Sequence, residues 1–260
     1  MRKAACFAAC ALALAWAAAP HLAAAQAALG ANYNESLTTI DERELSRVDA
    51  AWLRGFLDMH LMGDVDPATD PNVRAILAAK AHGHSVILSL KWNYHTLDFP
   101  RPDSPEMAAE LARLRRLLPV VLGKVDILVI GNEPFIEAKP EQRDERLNVF
   151  YETLANTVMD AWKTQGGAGS GTQLYMGAFN RLDLPRNRTP AIERMLRFIA
   201  SRPELSGADL HPHLPSFEAN RAMLDYVLPK LRPDQHFLAT EFSLVWYWRE
   251  HNQDVVPLAF

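Results

Sequence analysis

The sequence predicts an α/β fold, a (β/α)8 barrel whose eighth βα unit is missing or shortened. Three observations predict it. Short apolar runs of strand length alternate with amphipathic helical patterns through residues 26–260. Runs such as Ile127–Ile130 are apolar at every position, as in parallel strands buried on both faces. No Gly-x-Gly-x-x-Gly opens the first helix, which counts against a doubly wound open sheet.

Composition sets the outer bounds. With 49% hydrophobic and 22% charged residues, and only 12 Gly and 17 Pro, the chain reads as one globular domain rather than a fibrous or disordered one. A formal charge of −4 supplies no basic field for a phosphate backbone, so nucleic acid is not an expected partner.

At the N-terminus, Arg2 and Lys3 precede an apolar run, Ala4 to Ala19, followed by Ala23-Ala24-Ala25. That order of charged, apolar and small-residue regions predicts a signal peptide over residues 1–25 and a secreted or periplasmic domain over 26–260, with no membrane attachment after cleavage. Cys6 and Cys10 both fall inside this leader, so the mature chain is expected to carry no thiol and no disulfide.

The predicted strands are 29–32, 52–58, 85–91, 125–130, 174–179, 208–211 and 237–241. Helices are expected between them. Asp70-Pro71 and Ser104-Pro105 each place an N-cap residue before a proline suited to the first helical position. Met107, Leu111, Leu114 and Leu118 then form one apolar face, and Leu147, Phe150, Tyr151, Leu154, Val158 and Trp162 form another. The glycine-rich stretch 166–171 is a loop too short to separate domains, and two further helices are expected over 191–200 and 216–228.

A parallel barrel carries its functional groups at the C-terminal ends of its strands. There the fourth strand delivers Asn132-Glu133-Pro134, and the seventh delivers Thr240-Glu241-Phe242. A carboxylate directly after an apolar strand needs a partner or a task, because desolvating it alone costs several kcal/mol. A lone glutamate there is often an ion pair or a cap. Two of them, on strands that face each other across a barrel mouth, suit a retaining glycosidase, whose carboxyl groups stand about 5–5.5 Å apart.

Gly131-Asn132-Glu133-Pro134 resembles the Asn-Glu-Pro signature of clan A glycoside hydrolases, and Thr240-Glu241-Phe242 resembles their nucleophile segment, within family 39-like or family 5-like catalytic cores. Trp52-Leu53-Arg54-Gly55-Phe56 resembles the segment that carries an active-site arginine in this clan, and His211-Pro212-His213 falls where its members place a His or Tyr near the nucleophile. The resemblance implies that Glu133 is the acid/base, with a pKa raised towards neutrality, and that Glu241 is an ionised nucleophile held by Arg54. It implies that Asn132 binds the sugar 2-hydroxyl, that the substrate is a β-linked oligo- or polysaccharide, and that the enzyme is a secreted monomer acting by double displacement.

His211 and His213 share a strand face by period two and, with Glu133, have the donor types of a metal site. Pro212 between them points instead to a strand ending in a loop, so no metal and no other cofactor is expected. Trp92 and Asn93, with Tyr94 and His95, follow the third strand as a candidate sugar subsite, with core packing the other reading for Trp92. Trp246, with Tyr247 and Trp248, can line the cleft or cover the barrel.

Only 19 residues follow Glu241, where a barrel's closing unit commonly takes about 50. The clan's usual strand-eight tryptophan has no evident counterpart, and Val255–Phe260 is the one candidate for a shortened closing strand. A carbohydrate-binding barrel without catalysis, or an inactive fragment of a hydrolase, is therefore the alternative reading.

Overall fold

The structure, a computed structural model, describes residues 30–32, 41–47 and 50–243. The expected leader at 1–25, Trp246 with its aromatic neighbours, and Val255–Phe260 lie outside the described residues. Seven strands run in chain order across one sheet: β1 (Gly30–Asn32), β2 (Trp52–Asp58), β3 (Ser85–Lys91), β4 (Ile127–Ile130), β5 (Gln173–Asn180), β6 (Leu205–His211) and β7 (His236–Ala239). Every pairing is parallel. The helices are α1 (Glu42–Arg47), α2 (Met59–Met62), α3 (Pro71–Ala81), α4 (Pro105–Val121), α5 (Glu145–Thr164), α6 (Pro190–Ser201) and α7 (Phe217–Val227).

The helix starts follow from their caps. The Asp70 carboxylate accepts from the amides of Asn72 and Val73 at the head of α3, and Ser104 Oγ accepts from Met107 at the head of α4. In each case a proline fills the first helical position, where its missing N–H costs nothing. Ser216 caps α7 in the same way through Ala219.

The strands divide their side chains by period two. Leu53, Leu57, Val86, Leu88, Leu90, Leu128, Ile130, Leu174, Met176, Ala208 and Leu210 join the large core shared with the helices. Ile87, Ile127, Val129 and Tyr175, with Trp52 and Leu238 against them, form a second and smaller cluster on the opposite face. Trp52 and Ile87 from one side of the sheet and Leu238 from β7 line a common cavity of about 500 Å³, so the sheet curls until its two ends face each other. The result is an α/β half-barrel of seven strands.

The α/β class and the seven parallel strands are as expected from sequence, whereas the (β/α)8 barrel, expected with its eighth unit missing or shortened, is a half-barrel here. Among the described residues β1 and β7 are not bonded to one another, and each remains an edge. Joining β7 back to β1 would take a further strand, and the described chain stops at Ser243. Where β6 and β7 meet, the approach is close: a Cβ on Gly207 would lie 1.6 Å from the His236 carbonyl oxygen, so a residue without a side chain is required.

Candidate active site

The curl and the inward parity put Arg54 on β2, Ser89 on β3, Asp209 and His211 on β6 and Thr240 after β7 into one concave space. Arg54 is its centre. Its guanidinium is 2% exposed and donates from Nη1 to Glu241 Oε1 at 2.6 Å, from Nη2 to Asn132 Oδ1 at 2.8 Å and from Nε to Ser89 Oγ at 2.8 Å. Three acceptors from three elements fix a rigid fork, which is what a guanidinium does better than an ammonium.

Glu133 enters from the other side. Gly131, at φ +100°, lies against the Tyr151 ring, and Glu133 itself sits at φ +42°, an uncommon and costly conformation for a residue with a side chain. Its Oε1 accepts from Asn180 Nδ2 at 2.8 Å and lies 3.2 Å from His211 Nδ1. The fully buried His211 ring then leads to Glu241, whose Oε1 is 3.7 Å from Nε2. The two carboxylates therefore stand at opposite nitrogens of one imidazole.

His211 Nε2 is also 2.9 Å from Thr240 Oγ1, and that hydroxyl donates to Asp209 Oδ2 at 2.6 Å. With its hydrogen given to Asp209, the Thr240 oxygen is free to accept at Nε2, which Arg54 Nη2 also approaches at 3.4 Å, and Nδ1 is the nitrogen that meets Glu133. His213 makes the corresponding arrangement: Nδ1 lies 2.7 Å from Ser243 Oγ and Nε2 lies 3.1 Å from Glu241 Oε2.

The carboxyl groups are tuned in opposite directions. Burial alone would raise Glu241, but the His213 hydrogen bond and the charges of His211 and Arg54 outweigh it and hold the group down to about 2. Burial would likewise raise Glu133, yet the contacts with His211 and Asn180 leave it below its ordinary value. This is contrary to the elevation expected of an acid/base residue. Burial wins at Asp209, which is raised, and at Glu137, which is pushed up to about 8 against a hydrogen bond from Asn132 Nδ2 and the charge of Lys91.

Of the residues singled out in the sequence, Arg54, Asn132, Glu133, His211, His213 and Glu241 come together. Trp92 does not: it is 1% exposed, its Nε1 donates to Glu110 Oε2 at 3.1 Å, and it packs edge-on against Phe150 and Tyr151. Its subsite role is corrected to core packing, because the buried carboxylate of α4 satisfies the indole N–H inside the helical layer. Asn93 is exposed beyond β3, where its side chain accepts from the His95 amide. Trp246 is outside the described residues.

Sequence reasoning missed Asn180, Asp209, Ser89 and Glu137. Ser89 and Asp209 had a signal, being polar residues at inward positions of otherwise apolar strands. Asn180 is aimed at Glu133 by a break in the β5–β6 register at Gly177–Phe179, where Ala178 adopts φ +63°. A glycine inside a strand pattern is the only hint of it in the sequence.

Glu133, His211 and His213 also present one donor atom each within 4.8 Å of one another, a geometry that can hold a metal ion.

No family model matches the chain, and no curated protein matches it. Among solved structures it is similar to a mutant of the cellobiohydrolase Cel6A from Humicola insolens in complex with a cellobio-derived isofagomine, at 14% identity and a TM-score of 0.44. The match covers 71% of this chain, and this chain spans 60% of the length of that one. The open seven-stranded sheet of the described residues corrects the clan A barrel assignment. Among the described residues no helix is long and apolar enough to cross a membrane.

Proposed function

We propose that the protein is a secreted glycoside hydrolase that cleaves β-linked oligo- or polysaccharide with retention, using Glu241 as nucleophile and Glu133 as acid/base. The observation that carries this reading is the Arg54–Glu241 contact at 2.6 Å, set across one imidazole from a second carboxylate. A guanidinium donating to a carboxylate keeps it ionised and aims its other oxygen, which is the condition for attack on an anomeric carbon.

In the first step Glu241 attacks the anomeric carbon while a protonated Glu133 gives its proton to the leaving oxygen. A glycosyl ester and a free alcohol result. In the second step Glu133, now ionised, takes a proton from water, and the resulting hydroxide displaces Glu241. Arg54 and His213 share the charge that returns to Glu241. His211 and Asn180 hold the Glu133 carboxyl in place, and Asn132, pinned between Arg54 and Glu137, is the candidate for the sugar 2-hydroxyl.

The test uses aryl β-glycosides. Glu241→Ala is expected to lose several orders of magnitude in turnover and to recover part of it with azide, giving an inverted product. Glu133→Ala is expected to lose about 10²–10⁴-fold on substrates with poor leaving groups and much less on activated ones. Sugar binding without turnover in the unmodified chain would replace this reading with that of a carbohydrate-binding protein.

A further inference from the structure

We propose that Glu133, His211 and His213 form a binding site for one divalent transition-metal ion of the zinc class. One donor atom from each lies within 4.8 Å of the other two. Bonds of about 2.0–2.1 Å around tetrahedral zinc place donor atoms about 3.4 Å apart, so side-chain rotation closing each pair by about 1.4 Å at most completes the set. Two imidazoles and a carboxylate with a fourth position open is a donor set that suits zinc.

The surroundings distinguish this group from a chance cluster. Each imidazole has one nitrogen engaged with a hydroxyl: His211 Nε2 with Thr240 Oγ1 at 2.9 Å, backed by Asp209, and His213 Nδ1 with Ser243 Oγ at 2.7 Å. The other nitrogens, His211 Nδ1 at 3.2 Å from Glu133 and His213 Nε2 at 3.1 Å from Glu241, are the ones that would turn to the ion. Metal-binding histidines are oriented in this way, by a hydrogen bond from the nitrogen that does not ligate. His211 is fully buried on β6, so its ring direction is set by packing as well.

An ion here occupies the Glu133 carboxylate and draws His213 Nε2 away from Glu241, so metal binding and glycoside cleavage exclude each other. Only that consequence rests on the glycosidase reading; the binding itself does not.

Untagged protein, stripped with chelator and dialysed, is titrated with Zn²⁺ by calorimetry, and Co²⁺ is added in parallel to read a tetrahedral visible spectrum. One ion per chain is expected, at micromolar affinity or tighter. His213→Ala and Glu133→Gln should each weaken binding by more than about tenfold, and Ser243→Ala by about tenfold through loss of ring orientation. His213 is partly exposed, so its variant does not depend on repacking a buried site. Glu42, with His82 at 2.8 Å and His84 at 2.9 Å, is a second His–Glu group on the surface, and the His82→Ala/His84→Ala pair must leave the one-to-one binding unchanged.

Absence of saturable one-to-one binding overturns the proposal. So does binding that is indifferent to His213→Ala or is abolished in the His82/His84 variant. Zn²⁺ binding in a protein that never cleaves glycosides when metal-free would sink the glycosidase reading and leave the metal site standing. Cleavage without Zn²⁺ binding would do the reverse.

Discussion

Replacing Arg54 by Met takes away the one guanidinium that ties β2, β4 and the end of β7 together. The side chain is 2% exposed and its partner Glu241 is 22% exposed. Breaking a fully buried ion pair from one side costs about 3–5 kcal/mol, because the remaining charge stays desolvated. Glu241 keeps His213 and some solvent, which lowers its share, whereas Asn132 and the fully buried Ser89 each lose a donor. About 3 kcal/mol is the expected loss. In a domain of this size that is a fall of about 6–12 °C in the thermal midpoint. Urea unfolding of Arg54→Met, Glu241→Gln and the double variant forms a cycle that isolates the pair. A coupling of about 2–3 kcal/mol is expected, well above the roughly 0–1 kcal/mol of a surface pair. A coupling under about 1 kcal/mol, with the Arg54→Met midpoint within 2 °C or so of the parent, would refute the central placement of the arginine.

The pH dependence of kcat/KM in chelator-treated protein should be a bell on the acid side. Activity needs Glu241 ionised, which holds above about 2, and Glu133 protonated, which fails above a value below 4.5. At pH 7 the rate should then lie well below its maximum, and an optimum at neutral pH would contradict the lowered Glu133. Separately, Gly207→Ala forces a Cβ to within 1.6 Å of the His236 carbonyl oxygen, so β7 must move off β6. A stability loss above about 3 kcal/mol in urea unfolding is expected, and a normally stable variant would show that β7 is not paired as described.

The alternation of elements was legible because it rests on local rules: short apolar runs in the strands, a period near 3.6 in the helices, and Asp70 and Ser104 before the helices they cap. All seven expected strands are found: β2 and β3 keep the expected ends, and the other five shift by one to three residues at one end or both. Glu133 and Glu241 were legible for a related reason, as acids placed directly after apolar strands. What escaped depends on residues distant in sequence. Trp92 looks like a subsite aromatic until Glu110, on the next helix, is seen to take its N–H. Asn180 reaches Glu133 only because the β5 backbone slips at Ala178. The lowered state of Glu133 is set by His211, 78 positions away, and no spacing rule reports it. The clan A resemblance rested on short segments around these same strand ends, and strand-end chemistry alone does not specify how the sheet closes.

The backbone at Glu133 argues for a task beyond stability. Its φ of +42° is uncommon for a residue with a side chain, and its carboxylate is held by Asn180 and His211 on the concave side of the sheet. Glu241 is fixed as closely, by Arg54 at 2.6 Å and by His213 at 3.1 Å. Strain together with fixed polar contacts marks a place where folding stability has yielded to another requirement. An oxocarbenium-like transition state is positively charged, and so is a divalent ion. Under the two proposals both call on Glu133, so each excludes the other, and the competition between Zn²⁺ and a glycoside substrate measures that overlap directly.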